Sequence, residues 1–448
     1  MKKTLIALAA GSAFAASAAY ADVTISGSIN AGPAFVSQKG GSNGASNGFV
    51  GATAPGQNFV IDTATSPGVV TTNGIGGTGS NWGINTNYSN ITIGSLEDLG
   101  GGLKLDFAYQ LTANFQSATN AATNRNSHIG LVGDSWGGVW WGTNEMLYES
   151  YYYTVDPLDG AAGMGGNLQM MGTPGFGNVF DSANNPSTCV NANGGIGCAD
   201  FYRRDSNAIW YNSPNFNGFT GGVYATLPAY KTNSNPTTGA SGINPGLWGL
   251  GAKYVGTSLP IQAWAAYESH RDMFGMAAIT PQGTWNGNIL TTGLGGTGST
   301  DKGFQFGLGY TFGDVFLFAN FERLQYKTDG TFLFNGITAA GQLEYKRNAF
   351  GFGGKWNMAT GYLGGQFIKA NSGDCTIPGQ GCSGADTGGY MLGLGYYHTM
   401  SKQTQAYVMG TWNHNDSLQY YTTAGGVGAP LSYGSNLWGF TVGLKHSF

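Results

Sequence analysis

The stretch LKLDFAYQLTANF, Leu103–Phe115, alternates without a miss: Leu103, Leu105, Phe107, Tyr109, Leu111, Ala113 and Phe115 against Lys104, Asp106, Ala108, Gln110, Thr112 and Asn114. Successive side chains of a strand point to opposite faces, so this one has a wholly apolar face and a polar one. It is longer than the ~5–6 residues of an ordinary strand. It suits one that crosses a bilayer at a tilt, which takes ~9–11 residues.

The pattern recurs. KGFQFGLGYTF sets Phe304, Phe306, Leu308, Tyr310 and Phe312 against Gln305, Gly307, Gly309 and Thr311. RNAFGFGGKWN sets Phe350, Phe352 and Trp356 against Arg347, Lys355 and Asn357, and YMLGLGYYH sets Tyr390, Leu392, Leu394 and Tyr396 against Met391, Gly393 and Gly395. Segments of this kind predict sixteen strands, at 22–37, 81–97, 103–116, 126–133, 138–146, 205–212, 219–227, 247–256, 261–270, 302–312, 315–326, 346–357, 361–370, 387–398, 403–415 and 436–448. Alternation is poor in 315–326 and 403–415. Short turns (EDLGGG, SPNFNG, GTSLP, GD, MATG, SK) punctuate one end, and long Gly/Ser/Asn/Thr-rich loops the other.

An even strand count with short turns at one end and long loops at the other is the pattern of an all-β, antiparallel transmembrane β-barrel of the outer membrane. Closure follows from the solvent. In lipid every backbone polar group must be satisfied within the protein, so an apolar-faced sheet cannot leave an edge. Sixteen strands enclose more space than side chains can fill, and an aqueous lumen is expected.

The start, MKKTLIALAAGSAFAASAAYA, has Lys2 and Lys3, a short apolar core and small residues up to Ala21. It reads as a cleaved signal peptide, residues 1–21, with the barrel as one domain over 22–448. The 448 residues hold 78 Gly, 13% aromatics and only 9% charged side chains, with a net charge of −4. Nucleic acid is excluded as a partner because the chain lacks a concentrated basic stretch. No linker or composition step divides the chain.

Cys189 and Cys198, and Cys375 and Cys382, form two close pairs in Gly/Asn/Pro-rich segments of a chain expected to be exported. Two local disulfides are expected. A metal site is the weaker reading, since neither segment holds a His. His128, His270, His398, His414 and His446 occur singly and no nucleophile motif accompanies them, so neither an enzyme nor a cofactor is expected. The Gly-rich GLGGTGST lacks the Lys-Ser/Thr of a phosphate cradle.

Four segments resemble the Gram-negative general porins of betaproteobacterial and neisserial type. They are the C-terminal GFTVGLKHSF, ITIGSLEDLGGGLKLDFAYQL, DPLDGAAGMGG at Asp156–Gly166, and SNAIWYNSPNFNGFTGGVYA at Ser206–Ala225. The resemblance implies a homotrimer of sixteen-stranded barrels passing small hydrophilic solutes and ions by passive diffusion. It implies a third long loop, 146–204, folded inward as the constriction. It implies surroundings of outer-membrane lipid and lipopolysaccharide, and a C-terminal strand ending in Phe448 that the barrel-assembly machinery reads. The chain departs from the family at Ser89-Asn90-Ile91, where an Arg is usual, and at Trp141-Gly142-Thr143-Asn144.

A pore selects by diameter and lining charge. Glu145, Glu149, Asp156 and Asp159 cluster in the third loop and its entry, while Lys104, Arg203, Arg204, Lys253, Arg323, Arg347, Lys355 and Lys445 lie on or beside strands. The expected arrangement is a transverse field, with loop carboxylates facing a basic wall that includes Lys104, Arg203, Arg204, Arg347 and Lys355, and a slight lean to anions. Tyr148, Tyr151, Tyr152 and Tyr153 are expected to pack on the inner wall. A substrate-specific channel, and a structural or adhesive protein acting through the long loops 38–80 and 271–301, remain alternatives.

Overall fold

The computed structural model describes residues 22–40, 49–50, 60–61, 79–86, 89–113, 124–158, 164–167, 170–174, 200–227, 231, 244–256, 259–273, 298–329, 332–334, 337–339, 344–376, 384–416, 419, 421 and 434–448. Residues 1–21, the expected signal peptide, lie outside them.

Eighteen hydrogen-bonded segments form one antiparallel sheet. Two strand positions are each interrupted once, so the ring has sixteen. The strands are β1 (Val23–Lys39), β2 (Gly79–Asn85 and Asn90–Gly100), β3 (Leu103–Thr112), β4 (Asn124–Gly133), β5 (Gly137–Glu145), β6 (Arg204–Asn212), β7 (Phe219–Thr226) and β8 (Gly246–Val255). The others are β9 (Ile261–Arg271), β10 (Gly298–Phe312), β11 (Val315–Asp329), β12 (Glu344–Met358), β13 (Gly361–Ala370 and Asp374–Thr376), β14 (Gly389–Thr399), β15 (Thr404–Asn415) and β16 (Asn436–Ser447). All sixteen expected strands are present. Each pairs with its neighbours in sequence, and β1 pairs with β16 from Ser28↔Ser447 to Lys39↔Asn436. Gly27 and Phe448 exchange backbone hydrogen bonds of 3.0 and 3.1 Å, so the two ends meet at the seam and no edge remains.

The alternation read from the sequence is the alternation of faces. In β10, Phe304, Phe306, Leu308, Tyr310 and Phe312 are exposed on the bare chain, whereas Asp301, Gly303, Gln305, Gly307 and Gly309 between them are buried. Trp248, Trp356 and Trp438 are exposed in the same way, as a lipid-facing girdle requires. Short turns lie at the end where the termini meet. The β2–β3 turn uses Gly100, Gly101 and Gly102 at φ of 84°, 63° and 80°, backbone that residues with a Cβ adopt only at a cost.

Between β5 and β6 the chain forms α1 (Leu147–Tyr153). No helix among the described residues is long and apolar enough to cross a membrane.

Candidate pore constriction

The segment after β5 enters the barrel. The buried face of α1 carries Tyr148, Glu149, Tyr151 and Tyr152. Tyr148, Tyr151, Tyr152, Val155, Met170, Met171, Phe201 and Tyr202 from this segment form one cluster with inward-facing wall residues, among them Trp264 of β9, Phe318, Leu324 and Tyr326 of β11, Ile368 of β13 and Met391 of β14. The tyrosines pack on the inner wall as expected. Burying a large apolar side chain stabilises by ~1.5–3 kcal/mol, so this contact is what holds the segment down.

Polar anchors fix its position. The Glu322 carboxylate of β11 accepts hydrogen bonds from the hydroxyls of Tyr148 (3.3 Å) and Tyr152 and from the Gly172 N–H (2.6 Å). Arg347 of β12 pairs with Glu322 at 2.9 Å and donates to the carbonyls of Met170 (3.0 Å) and Thr173. Gln305 donates to the Tyr148 carbonyl, Gln366 to that of Gly165 at 2.6 Å, and Tyr397 to that of Leu158. These inward polar side chains thus meet backbone groups of the segment, most of them outside α1.

Glycines make the room. A Cβ on Gly364 of β13 would lie 2.0 Å from the Pro157 carbonyl oxygen, one on Gly393 of β14 would lie 2.6 Å from Leu158, and one on Gly303 of β10 would lie 2.6 Å from Phe201. These inward glycines are seats for the segment.

A second polar cluster closes its return to β6. Arg203 pairs with Asp205 at 2.8 Å, and Glu268 accepts from Tyr224 and pairs with His270 at 2.6 Å. All five side chains are buried.

The opposite wall is polar and partly wet. Inward-facing Asn90 and Thr92 of β2 accept from Gln110 of β3 at 3.2 and 3.0 Å, and Gln110 accepts from Arg125 of β4 at 3.2 Å. Arg125 and Arg204 then converge on one carboxylate, Glu145, with Arg125 at 3.3 Å. Asn126 accepts from Arg204 Nε at 2.5 Å and from the Glu145 N–H at 3.2 Å, which sets the geometry. Two guanidiniums on one carboxylate leave a net positive charge.

Several expected pore-lining groups sit elsewhere. Arg347 and Arg203 are each 2% exposed and neutralised in ion pairs, so they fasten the segment instead of lining water. Glu149, 5% exposed, accepts from Tyr153 at 2.7 Å, and Asp156, 4% exposed, accepts from the Leu158 N–H at 3.1 Å and from Gln366 at 3.4 Å. The reason is common to all four. The segment packs directly on the inner wall, so these side chains are covered by protein and take their partners in contact instead of facing a water gap. Burial pushes the Glu149 carboxyl up to about 7 against the pull of Tyr153 and Arg125.

Lys104 is on the inner face near the short-turn end, 3.0 Å from Asp134. Lys355 is partly exposed on the inner face, 5.1 Å above the Tyr362 ring, and Lys253 stands 5.8 Å above Tyr151. Arg323 projects outward. Asp159, Cys189, Cys198 and Cys382 lie outside the described residues, and Cys375 is disulfide-bonded.

Arg125 and Gln110 were not singled out by sequence. Arg125 falls one residue before the expected strand, which in the structure begins at Asn124. A clearer signal was available in β11: its poor alternation arises because Phe316, Phe318, Leu324 and Tyr326 face inward beneath the segment.

The family model of the Gram-negative porins matches residues 4–418. The chain belongs to that family: it is an outer-membrane protein whose barrel forms a water-filled channel for passive diffusion of small hydrophilic solutes and ions. It is 26% identical over 450 residues to an outer membrane porin protein of Bordetella pertussis, covering 96% of this chain and 99% of that one. Its fold is similar to the anion-selective porin from Comamonas acidovorans (TM-score 0.60, 18% identity, 96% of this chain and 100% of that one). It is also similar to the trimer form of OmpT, an outer membrane protein of Vibrio cholerae (TM-score 0.50, 11% identity, 96% and 99% covered).

Proposed function

We propose that the segment 146–204 is the channel's constriction, and that solutes pass between it and the wall formed by β2–β5. The observation that carries this reading is the convergence of Arg125 and Arg204 on Glu145 at the mouth of the segment, opposite the wall to which the segment is anchored. Charge at a narrow point acts on permeating ions more strongly than charge elsewhere. With one carboxylate between two guanidiniums, and with Lys253 and Lys355 as further partly exposed inner-face cations, the channel favours anions weakly. The Comamonas relative, described as anion-selective, supports the same direction.

The test has two arms. In a planar bilayer under a salt gradient, the reversal potential is expected to show anions permeating slightly better than cations; cation preference of several-fold overturns the lean. Deleting Tyr151–Gly163 is expected to raise single-channel conductance in a barrel that still assembles; an unchanged value places the segment outside the conducting path.

The reading extends to a homotrimer, which the trimer form of the Vibrio protein supports and cross-linking in native membranes would test. It includes recognition of the Phe448 terminus by the barrel-assembly machinery, cleavage after Ala21, disulfides Cys189–Cys198 and Cys375–Cys382, and transport without enzymatic chemistry.

A further inference from the structure

Between the segment 146–204 and the short-turn end, the strand registers set one row of inward residues across the open wall: Leu96 of β2, Asp106 of β3, Gly130 of β4, Trp140 of β5 and Trp210 of β6. Gly130 and Gly138 bear no side chain, and the Trp140 ring takes the space of both. An ideal Cβ on Gly130 would lie 2.2 Å from its Cδ1, and one on Gly138 would lie 2.3 Å from its far edge. The ring is therefore laid on backbone, with its other face turned to the lumen. Trp210 is nearly parallel to it, at 14° with the centroids 6.2 Å apart, and is buried with Met146 at the start of the segment. Trp140 itself is only half-buried. Leu96, at the other end of the row, is 56% exposed on the inner face.

Asp106 stands between these two apolar surfaces. Its Oδ2 accepts from Trp140 Nε1 at 2.7 Å and lies 3.3 Å from His128 Nε2, while Oδ1 takes no hydrogen bond among the described residues. The side chain is 30% exposed. No Lys or Arg pairs with it among the described residues, and Lys104, two residues along β3, is held by Asp134 at 3.0 Å. By contrast, Glu145, Asp205 and Glu322 on the same inner face each meet a guanidinium.

A carboxylate with one oxygen open, flanked by an indole face and by leucine methyls, is the complement of a cation attached to an apolar body. A metal ion is a poor match, because it asks for several oxygen ligands and this row offers one. We propose that the row binds small organic ammonium ions, with the ammonium on Asp106 Oδ1 and an aromatic or aliphatic group on Trp140 and Leu96. Leu96 lies one strand spacing, ~4.8 Å, from Asp106, and the Trp140 ring reaches back to it from the other side, so a single-ring ammonium touches all three. Contacts as exposed as these hold an ion weakly and let it leave, as permeation requires. The site goes beyond the anion lean of the constriction, because it retains one class of cation beside the path instead of setting which ions enter. Its place beside that path rests on the proposed constriction; its chemistry does not.

The probes are phenethylammonium, its neutral isostere phenethyl alcohol, and ammonium chloride, titrated against purified barrel in neutral detergent and read by saturation-transfer NMR. Phenethylammonium is expected to bind, and to interrupt single-channel current when added to a planar bilayer. D106N is expected to bind it about tenfold more weakly and W140A about fivefold, with resistance to denaturing detergent as the folding control. L96S, at a residue already exposed, is expected to lose about threefold and keeps the test open if neither of those variants assembles. W141F, the outward-facing neighbour, is expected to leave binding unchanged. Three results each overturn the proposal: undiminished binding by D106N or L96S, equal binding of phenethyl alcohol, or equal binding of ammonium alone. Binding that leaves the current uninterrupted upholds the site and counts instead against the proposed conducting path, so the two readings fail separately.

Discussion

The inner face of this barrel is two surfaces. From β9 to β14 it resembles the core of a soluble protein: Trp264, Phe318, Tyr326 and Ile368 are buried, glycines admit a second layer, and the Glu322–Arg347 pair is shut away from water. From β2 to β5 it is a polar ladder of Asn90, Thr92, Gln110, Arg125 and Glu145, made of groups that tolerate water. The outward faces of both halves follow one rule, because lipid imposes it. The inward faces differ because only one of them is covered.

The difference is most exposed at the buried pair. Arg347→Met leaves the Glu322 carboxylate buried without its cation, which costs about 3–5 kcal/mol. The expected outcome is release of the segment without loss of the barrel, read as proteolysis between Leu147 and Arg203 in a protein that still resists denaturing detergent. The double variant R347M/E322Q should recover much of the loss, and failure to recover would mean that the pair does not act as a unit.

Next in size is the seating of the segment. Gly364→Val puts a branched side chain where the Pro157 carbonyl lies 2.0 Å from an ideal Cβ, and overpacking of this kind costs ~1–3 kcal/mol. Single-channel records should become noisier and larger. Ala108→Val on the partly wet wall of β3 is the control and should change conductance little.

The ladder should answer to charge instead of packing. Arg125→Gln and Arg204→Gln together leave Glu145 uncompensated, and the reversal potential should move to cation preference.

The smallest effect is a titration. Glu149, with its carboxyl pushed up to about 7 by burial, is protonated at pH 6 and ionised at pH 8. A carboxyl raised in the folded state contributes stability that is complete below its unfolded value and falls as pH rises toward the folded one. The added negative charge near Arg125 should weaken anion preference between pH 6 and pH 8, and Glu149→Gln should flatten that dependence. A slope that survives in the Gln variant assigns the titration to another group.

The strands were legible because lipid reads every second residue and the sequence must comply; β3, β10 and β14 show this with hardly an exception. The position of the inward segment was legible too, through its tyrosines and Pro157. What could not be read was which wall it would lie on. Charges of opposite sign suggest attraction but not distance, so Arg347 and Asp156 were expected to face each other across water, and in the structure they serve the same contact zone. The clue lay in β11, where VFLFANFERLQY departs from alternation because its inward face carries Phe316, Phe318, Leu324 and Tyr326 as well as polar groups.

The buried pair has a mechanical consequence. A cylinder of sixteen strands around water has little to stop it flattening under the lateral pressure of a bilayer. The chain leaves the wall at Glu145, is tied by Glu322, Arg347 and Gln366 to strands far around the ring, and rejoins the wall at Arg204. These anchors join distant parts of the ring as a cross-brace joins a frame, so the contacts on which the proposed constriction depends also tie the wall together.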